Sequence, residues 1–334
     1  MQQARKALSI AARNKADTYS KKQYRDARAC YNSALEAWKK ENARFLYFRD
    51  YEKVVKLARL AAKKAAQSAD SSKVSSATLQ TKTAQKIRAL NELVSNINDR
   101  FTTYPLSMDS RNRISKGEML LSESEIISKK GLFTEADKKL TESEYLLTTA
   151  YETASESLKN YFRSYPDWKK WANKTIADSK DSGNYSIIVD KFSRKLMVFL
   201  GGKKKLEYSA ELGRNWAGEK KVRGDHATPE GMYRITEKFD SNKTKYYKAL
   251  LLNYPNYEDT AKFKEMVAKG ILPKNAKIGG MIEIHGNGGK GVDWTEGCIA
   301  VTDDDMDDIF KIAKVGTPVT IVGSMYDLQS VLKK

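Results

Sequence analysis

Four side chains, Cys30, Cys298, His226 and His285, supply all the thiol and imidazole chemistry in these 334 residues. A structural zinc site takes four closely spaced Cys or His ligands, and these four are too scattered to form one. A disulfide framework is excluded for the same reason, although a single Cys30–Cys298 bridge stays open. The suggestive pair lies in Ile282-Glu-Ile-His-Gly-Asn-Gly-Gly-Lys-Gly-Val-Asp-Trp-Thr-Glu-Gly-Cys298. A cysteine attacks a carbonyl as its thiolate, so it needs a base and donors for the developing oxyanion. His285 is placed to be the base. Gly297 admits a substrate close to the backbone, and the amides beside Cys298 are candidates for the oxyanion hole.

The residues between base and nucleophile are candidate substrate contacts, because loops that carry catalytic groups commonly also hold substrate. Asn287, Asp293, Trp294, Thr295 and Glu296 fall there. Asn287 serves equally as a turn former, and Trp294 as packing beneath the turn. His226, in Gly224-Asp-His-Ala-Thr-Pro-Glu-Gly231, reads as structural or as lining the cleft. Cys30 sits beside the apolar stripe Ala27/Tyr31/Ala34 and reads as core. Tyr254 and Asn256 read as turn formers. The acidic run Asp303–Asp308 reads as the first turn of a helix, where the dipole favours carboxylates, rather than as a metal site.

Two kinds of element must position this chemistry. Residues 1–165 carry apolar residues at three- and four-residue steps: Tyr24, Ala27, Tyr31, Ala34, Trp38; Tyr51, Val54, Val55, Ala58, Ala61, Ala62; Ile87, Leu90, Val94, Ile97; Ala136, Leu140, Leu147, Ala150, Ala154, Leu158, Tyr161. Each set predicts one helical stripe that another helix must cover. Breaks are expected at Ser68–Ser76, at Thr102–Asp109 around Pro105, and at Gly131. The likeness of Ser20–Ala27 to Ser128–Ala136 suggests a short tetratricopeptide-like repeat. From Asn184 the period becomes two. Tyr185–Asp190, Lys195–Leu200, Leu206–Ala210, Gly231–Ile235, Met281–Ile284 and Pro318–Val322 are predicted strands, and Met306–Ala313 a helix capped by Thr302 or Asp303.

The expected architecture is therefore α+β in two domains. An all-α bundle or short solenoid spans 1–165, and a polar linker 166–183. A mainly-β catalytic domain spans 184–323, and a tail 324–334.

The net charge is +18. Residues 1–165 hold 31 basic against 19 acidic residues, and the remainder 29 against 23, so most of the excess lies in the helical part. Such a surface suits an anionic partner by long-range attraction, or is a solvated basic face. The longest basic run is Lys203-Lys204-Lys205 and there is no nucleic-acid recognition motif, so nucleic acid is not expected as a partner. No stretch is long and apolar enough to predict a membrane span.

The segment around His285 and Cys298 resembles the signature of YkuD-type L,D-transpeptidase catalytic domains. So do Leu212-Gly213, Gly224–Gly231 and Asn253-Tyr-Pro-Asn256, and with Gly-Cys-Ile-Ala-Val-Thr-Asp303 the blocks are most similar to the ErfK/YafK-like branch. The resemblance covers about residues 184–323 and leaves the helical part unrecognised. It implies a β-rich fold and action on peptidoglycan stem peptides, with no metal or organic cofactor. Cys298 would be the nucleophile, His285 the general base and Gly297 part of the oxyanion hole. An L,D-carboxypeptidase, a wall-linkage hydrolase or an inactive wall-binding scaffold are the rival readings. The family's second His, two residues before the Cys, is replaced here by Glu296, which is expected to raise the thiol pKa or to favour a cationic acceptor. The resemblance also implies a periplasmic or envelope location, with an envelope protein or wall polymer as partner of the basic helical part. Since MQQARKALSI lacks a hydrophobic signal core, a leader is expected to have been removed.

Overall fold

The computed structural model describes every residue except Thr103, Ser241 and Lys334; Thr103 of the expected break and Lys334 of the expected tail thus lie outside the described residues. It divides into two compact units, Met1–Asn96 with Arg111–Ala150, and Ile97–Ser110 with Tyr151–Lys334. The fold class is the one the periodicity predicts, a helical N-terminal region and a C-terminal β domain.

The helical region contains α1 (Gln2–Arg13), α2 (Ala16–Tyr19), α3 (Lys21–Asn42), α4 (Glu52–Phe101), α5 (Met108–Lys129) and α6 (Phe133–Tyr161). The stripes bury as expected at Ala27, Ala34, Val54, Ala58, Ala61, Leu90, Leu140 and Leu147. Two residues depart from their stripes, since Trp38 and Val55 remain exposed. The break expected at Ser68–Ser76 is absent, because α4 runs through it as part of a 50-residue helix. Ser68 and Ser72 are fully buried there and their polar groups are satisfied across the bundle. Ser20 Oγ donates to the Ser68 carbonyl at 2.8 Å, and Ser72 Oγ donates to the Asn14 carbonyl at 2.5 Å. Small residues let the helices approach, so a run that reads as a loop by composition is a packing seam. The helices range from 4 to 50 residues in length.

Residues 166–183, expected as a linker, belong to helix α7 (Tyr165–Ser182), which ends at Gly183 in the left-handed conformation. The helix buries Trp168, Ala172, Thr175 and Ser179, one face at helical spacing within a polar sequence. Thr175 Oγ1 lies 2.6 Å from Thr320 Oγ1. Trp168 lies so close to Gly323 that a Cβ there would come within 2.2 Å of the indole ring.

The β domain is one eight-stranded sheet in the order β3-β2-β1-β8-β4-β5-β6-β7. Its strands are β1 (Tyr185–Asp190), β2 (Lys195–Leu200), β3 (Lys203–Ser209), β4 (Gly231–Phe239), β5 (Ala249–Leu252), β6 (Glu283–His285), β7 (Ile299–Ala300) and β8 (Pro318–Val322). Pairing is antiparallel except for β1 with β8 and β6 with β7. Short runs rich in β-branched and aromatic residues mark β1, β2 and β8 in the sequence, whereas β5, Ala-Leu-Leu-Leu, gives no such signal. Three helices complete the domain. Helix α8 (Tyr257–Ala268) is capped by Asn256 in a capping box with Asp259, and α9 (Asp303–Ile312) is capped by Thr302; α10 is Leu328–Leu332. Ile187, Leu196, Leu212, Ile235, Leu250, Ile284, Ile299, Met306 and Ile321 form the core.

Candidate active site

Strands β6 and β7 bring the two candidate groups together. Ile284 pairs with Ile299 and His285 with Ala300, so Cys298 stands just before β7, two residues back from His285's partner and level with Glu283. Side chains two apart share a sheet face, which puts Glu283 and His285 on one strand on the same side as Cys298 and Ala300 on the other. Both candidates are buried, Cys298 at 8% exposure and His285 at 0%. Cys298 Sγ donates to the Met281 carbonyl at 3.5 Å.

The imidazole is fixed from several sides. Its Nδ1 lies 2.6 Å from the Gly286 carbonyl, which selects the tautomer with the proton on Nδ1 and leaves Nε2 as the basic atom. Nε2 is buried and has no hydrogen-bond partner among the described residues. Tyr246 stacks on the ring at 3.6 Å between centroids and 7° between planes, and Trp294 meets it edge-on at 5.9 Å.

Burial dominates the protonation of both groups. It pushes the His285 pKa down to about 4, with Lys245 and Lys290 adding to the fall and the Gly286 carbonyl opposing it. It pushes the Cys298 thiol up to about 11, where the Glu283 backbone amide and Lys245 oppose the rise and the Glu283 carboxylate adds to it. At neutral pH the resting pair is thus a neutral thiol beside a neutral imidazole. If His285 is the base, kcat/KM should stay flat from about pH 5 to neutrality and fall as pH drops through about 4. Stability follows the same direction. An unfolded histidine titrates near 6.5, so between about 6.5 and 4 the unfolded chain binds the proton more readily. This contribution is complete above about 6.5 and lost as pH falls through 4, on the order of 3 kcal/mol in all. Urea titrations at pH 7 and pH 4 measure it.

A cavity of about 620 Å³ opens over the thiol, lined by Lys220, Arg223, Lys243, Lys245, Glu283, Glu296 and Cys298 among others. The loop between base and nucleophile is tied down by carboxylates outside the cavity. Asp293 accepts from Arg194 Nε and Nη2 at 2.9 and 2.8 Å and from the Leu212 amide at 2.9 Å. Glu211 accepts from the Gly291 amide at 2.6 Å and from Trp294 Nε1 at 2.7 Å.

The remaining candidate residues divide. Gly297 has φ +131°, and a Cβ there would lie 2.7 Å from the Ala227 carbonyl oxygen, so the position requires glycine. Its amide donates to Thr295 Oγ1 at 3.2 Å, and must change partner to meet an oxyanion. Thr295 is buried and donates to the Cys298 carbonyl at 2.7 Å, which fixes the turn ahead of the thiol. Trp294 packs against the imidazole. Asn287 sits at φ +63° with an exposed side chain and does not line the cavity over the thiol. His226 also has positive φ, and its Nδ1 lies 2.5 Å from Glu296 Oε2.

Glu296 does not act on the thiol as the sequence suggests. Arg214 Nη2 binds its other oxygen at 3.1 Å in a largely exposed ion pair, and Glu296 is not among the groups that shift the thiol. The carboxylate that raises the thiol is Glu283. Alkylation of Cys298 at fixed pH should therefore accelerate about tenfold in Glu283→Gln and hardly change in Glu296→Gln. Iodoacetamide labelling followed by mass spectrometry reads both. Glu283 was legible in principle, since Glu-Ile-His places it two residues from His285. Lys245 and Tyr246 were not, because nothing in Lys243-Thr-Lys-Tyr-Tyr-Lys248 announces that the segment folds back onto the imidazole.

Residues 184–321 match the L,D-transpeptidase catalytic domain, YkuD. The match covers the β domain and leaves the helical region unassigned. Among solved structures, the chain is similar to Bd1075 of Bdellovibrio bacteriovorus, at 27% identity over 45% of this chain and 52% of that one, with a TM-score of 0.33. L,D-transpeptidases from Mycobacterium smegmatis and Stackebrandtia nassauensis are similar at 14% and 15% identity, each over 42% of this chain and over 58% and 56% of theirs. Their TM-scores are 0.28 and 0.29. The chain thus spans a little over half the length of these structures. Among curated proteins, none matches it.

Proposed function

We propose that the YkuD domain is a cysteine L,D-transpeptidase acting on peptidoglycan stem peptides in the cell envelope. The observation that carries the reading is the buried pair of His285 on β6 and Cys298 just before β7, with an unpartnered His285 Nε2 among the described residues and Cys298 lining an open cavity. His285 Nε2 takes the Sγ proton as the sulfur attacks the carbonyl of the third stem residue. The Cys298 amide, joined by that of Gly297 once it leaves Thr295, binds the oxyanion. Collapse breaks the amide bond. The imidazolium returns the proton to the departing D-Ala amine, and a thioester remains on Cys298. An amine of a second stem peptide then attacks the thioester, its proton passing to Nε2, and the thiol is regenerated on release of the cross-link.

The resting thiol, pushed up to about 11, favours a second reading in which the domain is an inert wall-binding scaffold. Incubation with a tetrapeptide muropeptide, followed by product masses, separates the readings. A cross-linked dimer or amine-exchanged product supports transpeptidation. Tripeptide plus D-Ala alone would replace it by L,D-carboxypeptidation, and no product together with an unlabelled Cys298 would favour the scaffold.

A further inference from the structure

Arg44-Phe-Leu-Tyr-Phe-Arg49 joins α3 to α4, and its four central residues point into solvent: Phe45 is 70% exposed, Leu46 68%, Tyr47 89% and Phe48 67%. A connection between two helices in water is ordinarily built from Gly, Asn, Asp or Ser. Four large apolar side chains in succession forgo burial that a soluble turn has no reason to forgo. The rings gather on one another, Phe45 stacking on Tyr47 at 6.1 Å and lying 6.5 Å from Phe48.

The turn is held in this presentation. The Phe48 amide donates to the Phe45 carbonyl at 2.9 Å within the 3₁₀ turn Leu46–Phe48. Arg49 donates from Nε to the Arg44 carbonyl at 2.9 Å and from Nη2 to the Asn42 carbonyl at 3.0 Å. Tyr51 Oη donates to Asn42 Oδ1 at 2.6 Å, and the Asp50 amide to Glu41 Oε2 at 3.0 Å. These bonds bind the backbone beneath the patch and leave the aromatic side chains outward.

Charge selects the partner. Lys39, Lys40, Arg44, Arg49, Lys53 and Lys56 surround the turn, against Glu41, Asp50 and Glu52. Glu41 and Glu52 are paired within this group, with Arg44 and Lys56. Trp38, four residues before the end of α3, adds an exposed indole. Tyr, Trp and Phe rings collared by Lys and Arg are the composition that settles at a bilayer's headgroup level, where ring bodies enter the acyl boundary and cations meet anionic headgroups. The patch is the tip of a helical hairpin, which enters a soft interface without needing a matching groove.

We infer that the α3–α4 tip is a peripheral anchor for a bilayer surface carrying anionic headgroups. The anchor lies on the surface, since no helix among the described residues is long and apolar enough to cross a membrane. It stands on its own residues and does not depend on the catalytic reading.

The test uses the full chain with vesicles of phosphatidylglycerol and phosphatidylethanolamine, and with phosphatidylcholine vesicles for comparison. Co-sedimentation should favour the anionic vesicles and weaken with salt. The triple substitution Phe45→Ser/Tyr47→Ser/Phe48→Ser should weaken it at least tenfold without changing the thermal midpoint, because the three side chains are exposed. Separately, Tyr47→Trp should give emission that shifts to the blue on adding anionic vesicles. Equal binding by the triple variant, or no preference for anionic vesicles, would overturn the anchor. So would an oligomer that the triple variant dissociates while neither protein binds vesicles, which would assign the patch to a second copy of the chain.

Discussion

Cys298→Ala is expected to abolish turnover of a tetrapeptide donor, by roughly 10⁴-fold or more, while leaving the fold intact. Without sulfur no thioester can form, and the remaining groups only polarise a carbonyl that has no internal attacker. The substitution removes one buried atom that meets only backbone, the Met281 carbonyl at 3.5 Å and the Glu283 amide. Its stability cost should be about 1 kcal/mol or less. The informative comparison is between rate and denaturation midpoint in the same preparation. A variant that keeps the midpoint and loses the rate locates the chemistry at Sγ, whereas loss of both would make Cys298 a packing residue.

Trp168→Ala should be strongly destabilising, costing about 3–5 kcal/mol. The indole is 1% exposed and is wedged between α7 and the strand end at Gly323. Tyr161 lies 4.9 Å away and Phe162 5.7 Å away between ring centroids. Its Nε1 donates to Glu230 Oε2 at 2.7 Å, while Lys191, itself fully buried, holds Glu230 Oε1 at 2.8 Å. Truncation opens a cavity and removes one of two partners from a carboxylate that neutralises a buried lysine. Urea midpoints should fall sharply for Trp168→Ala and stay within about 0.5 kcal/mol for the exposed neighbour Lys169→Ala.

That α7 carries such a residue explains a misreading of the sequence. Its buried positions, Trp168, Ala172, Thr175 and Ser179, include only two apolar residues, so hydrophobic periodicity is faint and the segment reads as a linker. The same limit hid the continuity of α4, where Ser68 and Ser72 are interior with their hydroxyls met by Ser20 Oγ and by the Asn14 carbonyl. By contrast, β1, β2 and β8 were legible to the residue, because short β-branched and aromatic runs bounded by turn residues act locally. The site divides in the same way. His285, Gly297 and Cys298 are visible because a glycine-rich turn ties them together in sequence. Tyr246 reaches the imidazole by tertiary folding alone. The pairing of Glu296 with Arg214 joins loops about eighty residues apart.

The central claim is that Cys298 carries the substrate covalently. The direct measurement is the intact mass of the protein after brief incubation with a tetrapeptide muropeptide, followed by peptide mapping. The account predicts a mass gain equal to the donor less D-Ala, located on the peptide containing Cys298 and absent in Cys298→Ala. Product formation with no adduct, together with undiminished turnover by Cys298→Ala, would contradict it.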